Sequence, residues 1–233
     1  MLRLDNQDTI SRPAPSAILR DTRVVAVLRA AHATDYAPVI EALQQGGVLS
    51  IELTLSTPGV FDELPRLREH FGAALEIGVG TVTAADEAET ALDLGADYIV
   101  TPVTDADIIT ECVRRGVPVY PGGLTPTELH ASWKLGATAV KVFPASVVGA
   151  GYVGQLRGPF PDIEVIPSGG VNIEDVPGWI KSGALAVSLG GPLLGDAFKG
   201  GDLQDLTARA RRVRDLVEQT TDHQASDHLG GQR

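Results

Sequence analysis

Cysteine is nearly missing from this chain. Cys112 is the single one in 233 residues, so no intrachain disulfide can form and neither a zinc cluster nor a dithiol redox pair can be assembled. Basic residues are outnumbered as well. Lys and Arg total 19 against 30 Asp and Glu, and the net charge of −11 argues against a nucleic-acid surface and against attraction to an anionic membrane. No run of about 18 apolar residues occurs, so no segment is expected to span a bilayer. The opening "MLRLDNQDTISRPAPS" lacks the apolar centre of a signal peptide, and the composition suits the cytoplasm. Glycine is absent from "VLRAAHAT", which follows the first apolar run. A doubly wound dinucleotide-binding sheet would normally carry its phosphate loop there, so that competing fold is disfavoured.

What the chain does have is a repeated architecture. Short apolar runs occur at "RVVAVLR", "VLSIELTL", "LEIGVGT", "DYIVTP", "VPVYPG", "TAVKVFP", "IEVIPSGG" and "ALAVSLGG", each followed by an amphipathic stretch. The stretches read as helices: "TDYAPVIEALQQGG" ends in Gly46-Gly47, and "TAADEAETALDLGA" starts at a candidate cap, Thr83, and stops at Gly95. Eight successive βα units in one domain predict a parallel (β/α)8 TIM barrel of the α/β class. A short arm, residues 1–15, leads to a first helix near Ser16–Asp21; residues 16–219 form the single barrel domain. Residues 220–233 are polar and without periodicity, so they are expected to be a mobile tail in which His223 and His228 are solvated rather than metal ligands.

Chemistry in a barrel sits where its strands end at the C-terminal face. Two charged residues interrupt strands there. Lys141 breaks "TAVKVFP" and Glu52 breaks "LSIELTL", where alternation places Glu52 on the same face as Ser50 and Thr54. Burying an ammonium without a partner is costly, and a neutral amine in a lined pocket is a nucleophile. The two could instead form a structural ion pair, but such pairs stabilise poorly because desolvation offsets the attraction. A lysine, a nearby acid and several hydroxyls, without a metal-ligand spacing, suit Schiff-base chemistry on a ketone or 2-oxo acid.

The ordered series "IELTL", "GVGTV", "VTP", "YPGGLTPTE", "VKVFPAS", "PSGGVN" and "LGG" resembles the class I aldolases that cleave 2-keto-3-deoxy-6-phosphogluconate and 4-hydroxy-2-oxoglutarate, over about residues 16 to 215. The resemblance implies that Lys141 forms the imine and Glu52 is the general acid/base. It makes Thr81 and Ser168 substrate contacts. Gly169, Gly170, Gly190 and Gly191 gather after the last two strands, where barrels often hold phosphate, and can offer backbone N–H groups to an anion. The resemblance further implies a homotrimer without metal or organic cofactor.

Three departures stand out. Ser56 in "TLSTP" takes the place of an arginine that many family members use for the substrate carboxylate, and Arg29 in "AVLRA" is the candidate replacement, similar to the "ILRG" of phosphogalactonate relatives. Ser168 stands where threonine is usual. Pro192 in "LGGPLL" replaces a serine that helps hold phosphate, and proline offers neither a side-chain donor nor an N–H. The resulting expectation is a retro-aldol lyase on a 2-keto-3-deoxy sugar acid or a 4-hydroxy-2-oxo acid. A non-catalytic phosphate-binding barrel and a sugar-phosphate epimerase-type barrel are the alternatives.

Overall fold

The computed structural model describes the backbone of residues 11–230 and side chains as far as residue 224. All eight apolar runs are strands, and every pairing is parallel. In chain order they are β1 (Val24–Leu28), β2 (Ser50–Thr54), β3 (Glu76–Gly80), β4 (Ile99–Val100), β5 (Val119–Tyr120), β6 (Gly122–Gly123), β7 (Val140–Val142), β8 (Val165–Pro167) and β9 (Val187–Leu189). The fifth predicted run is split into β5 and β6 by Pro121, which has no N–H to offer the ladder. One sheet runs β5-β4-β3-β2-β1-β9 and a second runs β6-β7-β8. A bridge between Ser168 and Ser188 joins β8 to β9, so the two sheets close into a single barrel.

Helices follow the strands as the pattern predicts: α2 (Tyr36–Gln45), α3 (Val60–Phe71), α4 (Ala85–Asp93), α5 (Ala106–Arg115), α6 (Pro126–Lys134), α7 (Gly151–Arg157), α8 (Val176–Lys181), α9 (Gly191–Leu194) and α10 (Leu203–Gly230), with α1 (Ala17–Thr22) ahead of the first strand. Local chemistry sets their ends. Ser16 caps α1 by accepting the Leu19 N–H at 2.9 Å, and Thr125 caps α6 while Glu128 reaches back to the Thr125 N–H at 2.8 Å. Thr83 is not the cap of α4. That helix starts after Ala84, and the Glu87 carboxylate accepts from the N–H groups of both Thr83 and Ala84.

Strand alternation divides the buried residues into two sets. Residues such as Ala26, Leu28, Ile51, Leu53 and Val79 pack outward against the helices. Inside the barrel a smaller cluster gathers Val25, Tyr98, Val100, Tyr120 and Ile166, with Leu19 of α1 among them, so the first helix plugs the end of the barrel opposite the site. Of the expected arm, residues 1–10 lie outside the described residues. Arg12 is docked, its guanidinium 3.4 Å from the Trp133 ring centroid and bonded to the carbonyls of Trp133 and Ala137.

The expected tail is a correction. α10 continues past residue 220 to Gly230, Thr220 is buried, and Thr220 Oγ1 donates to the Leu216 carbonyl at 2.6 Å. Thr207, Ala210, Val213, Val217 and Thr220 form a buried stripe at helical spacing, which the polar composition after Val217 hides. Residues 231–233 lie outside the described residues.

One interior position is electrostatically unfavourable. Glu76 is buried, and burial raises its carboxyl above the ordinary range, partly offset by hydrogen bonds from Ser16 and Ser50. A raised folded-state value means the folded protein holds this proton more tightly than the unfolded chain. The group's contribution is therefore greatest below the ordinary carboxylate range and is lost as pH rises through the folded value. Glu76→Gln should accordingly raise the melting temperature at neutral pH, with the gain shrinking as the medium is acidified. Calorimetry across a pH series checks this, and a variant less stable than wild type at pH 7 would contradict it.

Candidate active site

β2 and β7 lie on opposite sides of the barrel, separated by β1, β9 and β8. Their inward side chains therefore point at each other. Glu52 is 1% exposed and Lys141 7%, and Lys141 Nζ stands 3.9 Å from Glu52 Oε1. That separation is a charge contact rather than a hydrogen bond. Glu52 Oε1 has no hydrogen-bond partner among the described residues. Its position is set by shape: a Cβ added at Gly80 would lie 2.0 Å from Glu52 Oε1 and 2.5 Å from its Cδ. Gly80 is thus the wall against which the carboxylate rests.

Above this pair opens a cavity of about 450 Å³. Every residue nominated from the sequence lines it: Lys141, Glu52, Arg29, Thr81 and Ser168, together with the glycine pairs 169–170 and 190–191. Arg29 sits at the exposed rim where β1 ends, whereas Ser56 is exposed, hydrogen-bonded to Thr54 Oγ1 at 3.1 Å, and outside the lining.

The wall is built from unusual backbone. Thr81 adopts φ +59°, a left-handed conformation that a β-branched residue rarely takes and that costs on the order of 1–3 kcal/mol. Gly169 and Gly170 have φ +84° and +73°, and an added Cβ would come within 2.9 Å of the Phe143 ring and 2.6 Å of Ser146 Cβ respectively. The second pair differs. Neither has a positive φ, and an added Cβ would meet only an ordinary contact at Gly190, the Val27 carbonyl oxygen at 3.8 Å, and nothing within 4 Å at Gly191, so neither is obliged to be glycine by crowding.

Residues 16–209 match the pattern of the family described as KDPG and KHG aldolase. The chain belongs to that family. It is similar to the 2-dehydro-3-deoxy-6-phosphogalactonate aldolase of Escherichia coli (strain K12), with 30% identity over 80% of this chain and 89% of that protein. Among solved structures it resembles a native KDPGal structure with 27% identity, 85% of this chain and 96% of that one aligned, and a TM-score of 0.79. It also resembles a KDPG aldolase from Legionella pneumophila with pyruvate captured at low pH as a covalent carbinolamine intermediate, with 25% identity, 84% and 96% coverage, and a TM-score of 0.76. The protein is a class I aldolase, a carbon–carbon lyase working through a Schiff base on a 2-oxo acid.

Beyond the nominated residues, several that the sequence did not single out as site residues line the aldolase cavity or stand behind it. Ser188 of β9 is buried and its Oγ lies 3.3 Å from that of Ser168, pairing two hydroxyls on the wall. Phe143 places its ring centroid 5.3 Å from Lys141 Nζ. Phe198 and Lys199 close the rim beside Pro192, and Gly80 stands behind Glu52. Ser188 alone left a trace, a hydroxyl inside "AVSLGG".

Proposed function

We propose that Lys141 forms the imine and Glu52 is the general acid/base in retro-aldol cleavage. The substrate would be a 2-keto-3-deoxy-6-phospho sugar acid of the phosphogluconate or phosphogalactonate type, or 4-hydroxy-2-oxoglutarate. The products are pyruvate and an aldehyde, glyceraldehyde 3-phosphate or glyoxylate. The observation that carries this reading is the single lysine–carboxylate pair, 3.9 Å apart, at the floor of the cavity. Lys141 attacks the C2 carbonyl, and loss of water from the carbinolamine leaves a protonated imine. The C3–C4 electron pair then flows into that imine while Glu52, directly or through a water, takes the C4 hydroxyl proton. The aldehyde leaves, the enamine is protonated at C3, and hydrolysis frees pyruvate and Lys141. The iminium is the electron sink, so the reaction calls for no metal or organic cofactor. Neither a non-catalytic phosphate-binding barrel nor an epimerase needs this pair.

Thr81 and Ser168 are assigned to the 2-oxo acid end, with Arg29 supplying the cation that Ser56 does not. The glycine pairs 169–170 and 190–191 are assigned to the distal anion. We further infer a cytoplasmic homotrimer that takes no nucleic acid, in keeping with the family resemblance and the net charge of −11. The test is pyruvate release, coupled to lactate dehydrogenase, from both epimeric 2-keto-3-deoxy-6-phospho sugar acids and from 4-hydroxy-2-oxoglutarate. Turnover of at least one is expected; release from none would overturn the assignment.

Arg29 is exposed, so its contribution is small. Arg29→Ala should weaken KM by about 0.2–1 kcal/mol, the range for exposed charge contacts, with kcat little changed. Adding Ser56→Arg should restore part of the loss. An Arg29→Ala enzyme with wild-type KM at low salt would remove Arg29 from the site.

A further inference from the structure

We propose that Lys199 selects substrates carrying an anion at the aldehyde end, supplying from a different segment the contact that Pro192 cannot make. The inference rests on the aldolase reading above. Glu52 is the one carboxylate in the cavity lining, and besides Lys141 the lining contains two cations, Arg29 and Lys199. They come from different places: Arg29 from the end of β1, Lys199 from the turn after α9, beside Pro192 and Gly195. Lys141 and Glu52 are buried at the floor while Lys199 is exposed at the mouth. A substrate whose C2 is held on Lys141 must run its far end outward, toward that mouth.

The turn bearing Lys199 is anchored, so the amine is delivered by a fixed backbone. Phe198 packs edge-on against Tyr36 with centroids 5.8 Å apart, and Tyr36 donates its hydroxyl to the Leu28 carbonyl at 3.3 Å, where β1 ends. The Lys199 N–H donates to the Asp196 carbonyl at 2.7 Å. Among the described residues Lys199 enters no ion pair, which leaves its charge available to an anion at the mouth. A flexible ammonium donates to a phosphate or a carboxylate equally well as a point charge. The shared chemistry is therefore an anion on the aldehyde fragment, either the phosphate of a 6-phospho sugar acid or the C5 carboxylate of 4-hydroxy-2-oxoglutarate.

The test compares wild type, Lys199→Met, Lys199→Arg and Lys199→Met/Pro192→Ser on 2-keto-3-deoxy-6-phospho sugar acid, its dephospho form and 4-hydroxy-2-oxoglutarate. Pyruvate with borohydride serves as a control that has no distal anion. Lys199→Met should lower kcat/KM for the anion-bearing compound by about 1.5- to 5-fold, the range for an exposed charge contact, and leave the dephospho compound unchanged. Whichever anionic substrate loses rate identifies the anion. Lys199→Arg should keep the preference, and Pro192→Ser should restore part of it to the Met variant. Raising ionic strength should erode the preference in wild type more than in Lys199→Met. Trapping of pyruvate should be equal in all variants. If Lys199→Met keeps the full preference, or loses pyruvate trapping as well, this proposal fails while the aldolase reading stands. If wild type neither cleaves nor traps pyruvate, both fail.

Discussion

Incubated with pyruvate and borohydride, the protein should gain a reduced pyruvyl group, and peptide mapping should place it on Lys141. The chain has four lysines, and the other three, Lys134, Lys181 and Lys199, lack the carboxylate that stands 3.9 Å from Lys141. Lys199 is the stringent control because it lines the same cavity. An adduct there, or none at all, would sink the mechanism. Lys141→Ala should abolish cleavage, but it also leaves Glu52 buried without its cation. Breaking a buried pair in that way costs up to about 3–5 kcal/mol. Inactivity of the variant therefore counts only beside a melting curve, with Lys141→Gln as the milder comparison. The adduct on wild type is free of that complication.

Gly80→Ala should cost nearly as much activity as removing the acid/base itself. The new Cβ would claim space 2.0 Å from Glu52 Oε1, so the carboxylate must leave its place between Gly80 and Lys141. General acid/base catalysis is worth roughly 10²–10⁴-fold, and both Gly80→Ala and Glu52→Gln should forfeit much of it in kcat. Packing strain from the extra methyl adds a stability cost of about 1–3 kcal/mol. Pyruvate should still be trapped on Lys141 in the glycine variant, more slowly but to completion, because the amine is in place. A folded Gly80→Ala enzyme with wild-type kcat would show that Glu52 acts from another position, or not at all.

Gly80 also shows where reading the chain stopped. The eight strands were legible because each is a short apolar run bounded by turn residues, and Lys141 and Glu52 were legible because charge is out of place in such runs. The role of Gly80 depends on the register that sets Thr54 opposite Gly80 and leans the Glu52 side chain across to it. No local pattern encodes that. Lys199 was hidden differently, in a polar segment after α9 that looks like a linker until Phe198 is seen pinned to Tyr36. The helical continuation past Thr220 was missed because its buried stripe is formed partly by threonines, which read as surface. Pro121 was visible, yet its division of one strand into two needed the closed sheet to be recognised.

The junction of β8 and β9 gives the barrel a seam. Apart from the Ser168–Ser188 bridge, Leu185 N–H on the Val165 carbonyl, 2.8 Å, is the backbone hydrogen bond seen across it. The cavity lies over this junction, with Ser168, Gly169 and Gly170 on one bank and Ser188, Gly190 and Gly191 on the other. A ligand gripping both banks acts as a staple on the least-tied joint of the ring, and opening that joint must first release the ligand. Amide exchange along Ser188–Gly191 should therefore slow on substrate binding beyond what shielding at the mouth explains, and heat should part the unliganded ring at this joint first.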